Sequence, residues 1–244
     1  MNQKKKIGII GGMGPLATCD LMKKIISNTD AHRDQDYIQI FVDCNTLVPD
    51  RTAAILHNGD DPLPELVKSA LKLQNMGADY LIMACNTVHY FRDRVQGFVD
   101  IPIVDMPLET ARYIKGMGID QVGVVATAGT LKSGIYQKAL EKADVNAIYP
   151  DAEDTELIMH LIYGCVKAGR PVDVSEEALE MIQRMTDKGA QALVLGCTEL
   201  PIAFEQINTD VMTVDPTEIV ARRLVSLAGG KLKENICYQC KAVY

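Results

Sequence analysis

At 244 residues, with 48% hydrophobic and 23% charged positions, the chain has ordinary globular composition and the length for one large or two small domains, which excludes disorder and coiled coil. Its net charge is −7, it has no basic block beyond Lys4-Lys5-Lys6, and no apolar run approaches the roughly 18 residues of a membrane span, so neither a nucleic-acid surface nor a membrane is an expected partner. The 7 cysteines are odd in number and irregularly spaced, unlike a secreted disulfide framework, and the apolar stretch after Lys6 is broken by Gly11, Gly12, Gly14 and Pro15, unlike a signal peptide, so the expected location is cytoplasmic.

In chain order, short β-branched runs predict strands at Ile7–Ile10, Ile38–Val42, Tyr80–Ala84, Ile101–Val104, Val122–Ala126, Val145–Tyr149, Ala192–Gly196 and Val211–Val214. Helical patterns lie between them. Pro64–Met76 stops at Gly77, and Asp173–Lys188 stops at Gly189, each glycine suiting a left-handed C-terminal position. Asp173, with Glu176 three residues on, predicts a capping box for the second of these helices. A last helix is expected near Thr217–Leu227. Strands that are apolar throughout and alternate with helices imply parallel sheets covered on both faces, so the class is α/β.

The sequence also repeats itself. Gly77-Ala78 followed by an apolar strand and Cys85-Asn86 matches Gly189-Ala190, an apolar strand and Cys197-Thr198 at an offset of 112 residues. Ile7-Gly8-Ile9-Ile10 matches Val122-Gly123-Val124-Val125 at 115, and Val104-Asp105 matches Val214-Asp215 at 110. Two copies of one α/β unit are therefore expected: residues 1–112 together with the returning segment 213–244, and residues 113–212.

Ligands of open parallel sheets bind beyond the carboxyl ends of the strands, where Cys85 and Cys197 both fall. If the halves pack about a pseudo-two-fold axis, the two thiols face one cleft from opposite sides. Such a pair suits removal of a proton from one face of a carbon and return of a proton to the other, which is racemisation by two bases. A thiol pKa of about 8.5 is lowered by a helix N-terminus or a nearby cation. Asn86-Thr87 and Thr198-Glu199 are predicted to open helices at the two sulfurs. Cys19, Cys44 and Cys165 have no partner in the repeat and read as small core residues; Cys237 and Cys240 form a lone CxxC in the tail, without the second ligand pair of a zinc site.

Four motifs in order, Gly8-Ile-Ile-Gly-Gly-Met-Gly-Pro-Leu-Ala-Thr18, Pro49-Asp-Arg-Thr52, Ala84-Cys-Asn-Thr-Val-His89 and Gly196-Cys-Thr-Glu199, together resemble the aspartate racemase branch of the aspartate/glutamate racemase superfamily, from about Lys6 to Ala228. The resemblance implies an amino-acid racemase working without cofactor or metal, two pseudo-symmetric α/β domains with the active site between them, and a homodimer. By the same resemblance Cys85 and Cys197 are the catalytic pair, and Arg51 and Lys167 receive the substrate carboxylates. Met13, Asn86, Thr87, Thr127, Thr130 and Thr198 match substrate-lining positions, with His89 and Glu199 as auxiliary candidates. Glutamate racemases of the superfamily typically carry an Asp-Ser-Gly turn after the first strand and a His after the second Cys-Thr. Gly11-Gly12-Met13-Gly14 and Glu199 stand at those places here, which favours aspartate.

Two alternatives remain at this level besides glutamate or another carboxylate as substrate. Gly12-Met-Gly-Pro-Leu-Ala17 fits G-x-G-x-x-A, and Asp43 ends the next predicted strand, as in an NAD(P)-dependent oxidoreductase. A two-lobed binding protein without catalysis is the other.

Overall fold

The computed structural model describes residues 4–234. Cys237 and Cys240 lie outside the described residues. Strands β1 (Ile7–Gly11), β2 (Ile40–Cys44) and β3 (Tyr80–Met83) form one parallel sheet in the order β2-β1-β3. Strands β4 (Gln121–Val125), β5 (Asn146–Ile148), β6 (Ala192–Leu195) and β7 (Thr213–Val214) form a second, ordered β5-β4-β6-β7. The first half carries helices α1 (Pro15–Asn28), α2 (Arg51–Leu56), α3 (Leu63–Asn75), α4 (Arg92–Gln96) and α5 (Met106–Gly116). The second carries α6 (Ala128–Ser133), α7 (Ile135–Glu141), α8 (Ala152–Met159), α9 (Ser175–Asp187), α10 (Leu200–Gln206) and α11 (Pro216–Leu227). A π-helical segment, His160–Val166, continues α8.

The central strands of both sheets are sandwiched, which is why they read as apolar throughout, whereas the edge strands β2 and β5 are partly exposed. Ile10, Leu81 and Met83 pack under Leu66, Ala70 and Leu73 of α3, while Ile7, Ile9 and Ile82 pack on Leu21 and Ile25 of α1 and Val220 and Leu224 of α11. In the second sheet, Val125, Leu193 and Leu195 face α9, α10 and the π segment, and Val122, Val124 and Val194 face α5 and α7. The order β2-β1-β3 recurs as β5-β4-β6 in the second sheet, which β7 extends, and this recurrence is the duplication seen in sequence. Its Asp landmarks are helix caps: Asp105 accepts from the Leu108 N–H at 3.1 Å and Asp215 from the Thr217 N–H at 2.9 Å, starting α5 and α11, which pack together.

The repeated glycine in the first strand of each unit has a packing reason. A Cβ on Gly8 would lie 2.7 Å from Leu81 Cδ2, and one on Gly123 would lie 2.6 Å from Leu193 Cδ2. Gly8→Val and Gly123→Val are each expected to lower unfolding free energy by about 1–3 kcal/mol in denaturant titration. An unchanged midpoint in both would show that the sheets have slack at this register.

Four expectations need correction. Cys19 and Cys44 are exposed rather than core residues, and only Cys165 of the three cysteines without a partner in the repeat is buried. Ile101–Val104 is reduced to a single parallel bridge between Ile103 and Leu81, because Pro102 has no N–H with which to extend a ladder. Asp173 does not cap α9: Val174 holds that place with no side-chain bond, and the Asp173 carboxylate turns instead to His160 and Cys165. Thr213–Val214, expected with the first unit, pair with β6, so the return to the first sheet begins only at α11.

Candidate active site

Loops at the carboxyl ends of β1, β3, β4 and β6 converge on one cleft, bringing Met13, Cys85, Thr127 and Cys197 together with Arg51, Thr87, Lys167 and Glu199. The two cysteines therefore reach the same cleft from the two halves. Its water-accessible volume is about 10 Å³, room for about one water.

The two sulfurs have opposite neighbours. Arg51, at the first position of α2, is buried; its guanidinium donates to the carbonyls of Met13 at 3.2 Å and Pro49 at 3.0 Å. Burial by itself would lower the Arg51 pKa, but the Cys85 sulfur and the Asp50 carboxylate beside it hold it above the ordinary value. Its Nε is buried with no hydrogen-bond partner.

At the other wall, Glu199 organises Cys197. The Cys197 thiol donates to Glu199 Oε2 at 3.0 Å, as does the Thr198 hydroxyl at 3.0 Å, while Lys167 Nζ pairs with Oε1 at 3.1 Å. Burial, the Glu199 charge and this hydrogen bond push the Cys197 thiol well above its ordinary pKa. The expected depression by a helix N-terminus does not prevail at Cys197, because desolvation and a facing carboxylate both oppose the thiolate. Burial acts against the Lys167 charge, yet Glu199 and the two cysteines raise its pKa overall.

This has a consequence for pH dependence. If one thiol must carry a proton in the free enzyme, kcat/KM falls at alkaline pH only as Cys197 loses it. The alkaline limb is therefore expected above the ordinary thiol range, and Glu199→Gln, which removes the facing charge, should move it down. A limb in the normal thiol range that is indifferent to Glu199→Gln would contradict the arrangement.

The other predicted residues divide. Thr87 from the first half bonds Thr127 at 3.1 Å and Thr130 at 2.8 Å from the second, a buried hydroxyl cluster joining the halves. Thr87 and Thr127 line the cleft; Thr130, Thr198, Asn86 and His89 stand behind its wall. Asn86 accepts a 2.5 Å bond from the Tyr136 hydroxyl, and burial pushes the His89 pKa down to about 4, leaving a neutral ring away from the cleft.

The structure adds Asp50, Thr52 and Tyr163 to the lining. The first two flank Arg51 in a motif already singled out. Tyr163 comes from the π segment, its hydroxyl 3.4 Å from Asp50 Oδ2 and its ring 5.3 Å from Lys167 Nζ; its spacing of four residues before Lys167 was the only sequence hint. The glycine-rich turn has a packing role as well. Gly12 has φ +90°, and a Cβ there would lie 2.3 Å from the Asn45 backbone.

A sequence profile of the Asp/Glu/hydantoin racemase family matches residues 10–224. The chain belongs to that family. It is accordingly an amino-acid racemase, and the oxidoreductase and binding-protein readings fall away. The chain is 24% identical to the broad specificity amino-acid racemase RacX of Bacillus subtilis over 226 residues, covering 90% of this chain and 96% of RacX. Among solved structures it resembles the aspartate racemase of Picrophilus torridus, with TM-score 0.78, 32% identity and coverage of 94% and 96% of the two chains. It also resembles an aspartate racemase homologue of Pyrococcus horikoshii OT3, with TM-score 0.76, 28% identity and coverage of 92% and 99%. Glutamate racemases are among the similar proteins too. No helix among the described residues is long and apolar enough to cross a membrane.

Proposed function

We propose that this racemase interconverts L- and D-aspartate without a cofactor, using Cys85 and Cys197 as a two-sided proton-transfer pair. The observation that carries the reading is the convergence of both thiols, one from each half, on a cleft that also holds Arg51 and Lys167. Two cations in one small cleft suit a dicarboxylate, and the Gly11–Gly14 turn and Glu199 favour aspartate over glutamate. A cytoplasmic homodimer accompanies the reading by resemblance.

The neighbours of each sulfur support a division of roles. The Cys85 thiolate, facing Arg51, takes the Cα proton, and the Cys197 thiol gives its proton to the opposite face of the carbanion. The products are a Cys85 thiol, a Cys197 thiolate and the inverted amino acid; the opposite enantiomer runs the same steps in reverse. Arg51 receives the α-carboxylate, where charge accumulates as the Cα–H bond breaks, so its attraction grows towards the transition state. Glu199 Oε2 is placed to accept the Cys197 proton when that sulfur must serve as base. A distal substrate carboxylate competes with Glu199 for Lys167, and its arrival frees Glu199 of its cation, strengthening it as proton acceptor.

The test is proton NMR of L-aspartate with reduced protein in D₂O, beside L-glutamate and a Cys85→Ala/Cys197→Ala control, followed by chiral analysis. Loss of the aspartate Cα proton signal with appearance of D-aspartate, absent in the control, is expected. Faster exchange of glutamate would transfer the assignment to that substrate, and no exchange of either would overturn the dicarboxylate reading.

A further inference from the structure

Outside the cleft, on the far side of the π segment, three donors of different chemistry converge. His160 Nε2 lies 2.8 Å from Asp173 Oδ1, Cys165 Sγ lies 3.2 Å from the same oxygen, and all three atoms are within 4.8 Å of one another. We propose that His160, Cys165 and Asp173 form a three-ligand site for a zinc-type divalent transition-metal ion, distinct from the racemase cleft.

Local backbone builds this cluster. His160 and Cys165 are five residues apart, which in an α-helix would set them on different faces, but π-helical bonding runs from i to i+5 and stacks them on one. Glycine at 164 is part of the same construction. A Cβ there would lie 2.5 Å from His160 Nδ1, so the imidazole folds over Gly164 only because that position has no side chain. Asp173 completes the set from the loop before α9, leaving that helix without a side-chain cap.

The donor set discriminates between chemistries. A nucleophilic cysteine requires the histidine at the sulfur, whereas here the carboxylate lies between the two and the thiol donates to it. One imidazole nitrogen, one sulfur and one carboxylate oxygen are a zinc-type set, whose atoms sit roughly 3.3–3.6 Å apart around a tetrahedral ion. The two carboxylate edges, 2.8 and 3.2 Å, need to open by about half an ångström, and the sulfur–nitrogen edge, which is within 4.8 Å, needs to close by about 1.5 Å at most. Cys165 is buried while His160 and Asp173 are exposed, so the ion approaches from solvent with water as fourth ligand. On binding, the metal–sulfur bond replaces the S–H bond and the Cys165 proton passes to solvent. The ion then ties the π segment to the loop before α9, and Lys167 lies two residues beyond the sulfur.

The test uses the full chain with Cys85, Cys197, Cys237 and Cys240 replaced (Cys85→Ala, Cys197→Ala, Cys237→Ser, Cys240→Ser), so that neither the cleft nor the tail supplies sulfur and racemase activity plays no part. Titration with Co²⁺ is expected to give one bound ion per chain with a sulfur-to-cobalt charge-transfer band that Zn²⁺ abolishes. His160→Ala, Asp173→Asn and Cys165→Ser should each weaken binding at least about tenfold. Absence of the band, its survival in Cys165→Ser, or unchanged affinity in both His160→Ala and Asp173→Asn would overturn the proposal. Those last two side chains are exposed, so their variants decide the matter even if Cys165→Ser fails to fold.

Discussion

Cys85→Ala and Cys197→Ala are each expected to reduce racemisation by about 10²–10⁴-fold or more, the range a positioned acid or base supplies. Each variant should nevertheless keep half of the chemistry. With one thiol left, the Cα proton of one enantiomer can still be removed and replaced from solvent on the same face, giving deuterium exchange without inversion. On the proposed two-sided mechanism, in which the thiols reach the substrate from opposite faces, the two variants should exchange opposite enantiomers. They should also differ in pH response. Cys85→Ala retains only Cys197, whose thiol is held protonated by burial and Glu199, so its exchange should be slow near neutral pH and rise into the alkaline range. Proton NMR of each pure enantiomer in D₂O reads all of this directly. Exchange of the same enantiomer by both variants would place the sulfurs on one side of the substrate and end the two-sided mechanism.

Arg51→Lys is expected to lower kcat/KM by about 10²–10³-fold, with kcat falling as well as KM rising. A lysine keeps the charge but not the planar fork, and no single ammonium can hold the Met13 and Pro49 carbonyls while meeting a substrate carboxylate. Loss of a buried charged hydrogen-bond partner typically costs about 2–5 kcal/mol, which spans that fold-change. Because the guanidinium also ties the loop after β1 to the start of α2, Tm should drop modestly alongside activity. Calorimetry beside steady-state kinetics separates the two effects. A variant within threefold of the parent kcat/KM would remove Arg51 from substrate recognition and leave it a structural tie.

Much of this molecule is legible in its sequence because the determining interactions are local or repeated. Apolar runs give sheets buried on both faces, Gly77 and Gly189 end helices where the chain must turn left-handed, and Asp105 and Asp215 cap helices from within their own first turn. The duplicated strand-Cys pattern was enough to select two thiols among seven. Asp173 shows the limit: its spacing to Glu176 is that of a capping box, yet its carboxylate goes to His160 and Cys165, because a cap competes with every other donor within reach.

What the tertiary structure alone decided depends on pairings between distant residues. Asp50 and Tyr163 meet across 113 positions, and Thr87 meets Thr130 across 43. Nothing in either local sequence specifies the packing of the halves that brings them together. The π-helical register of His160–Val166 arises from hydrogen bonding that residue preferences do not encode, and it places Tyr163 beside Lys167. The sequence by itself determined the α/β class and the duplication, and singled out two thiols that line one cleft, since periodicity and caps are properties of neighbouring residues. Only the folded chain decided which charge faces which sulfur, because burial and electrostatic contact exist only once the two halves have packed.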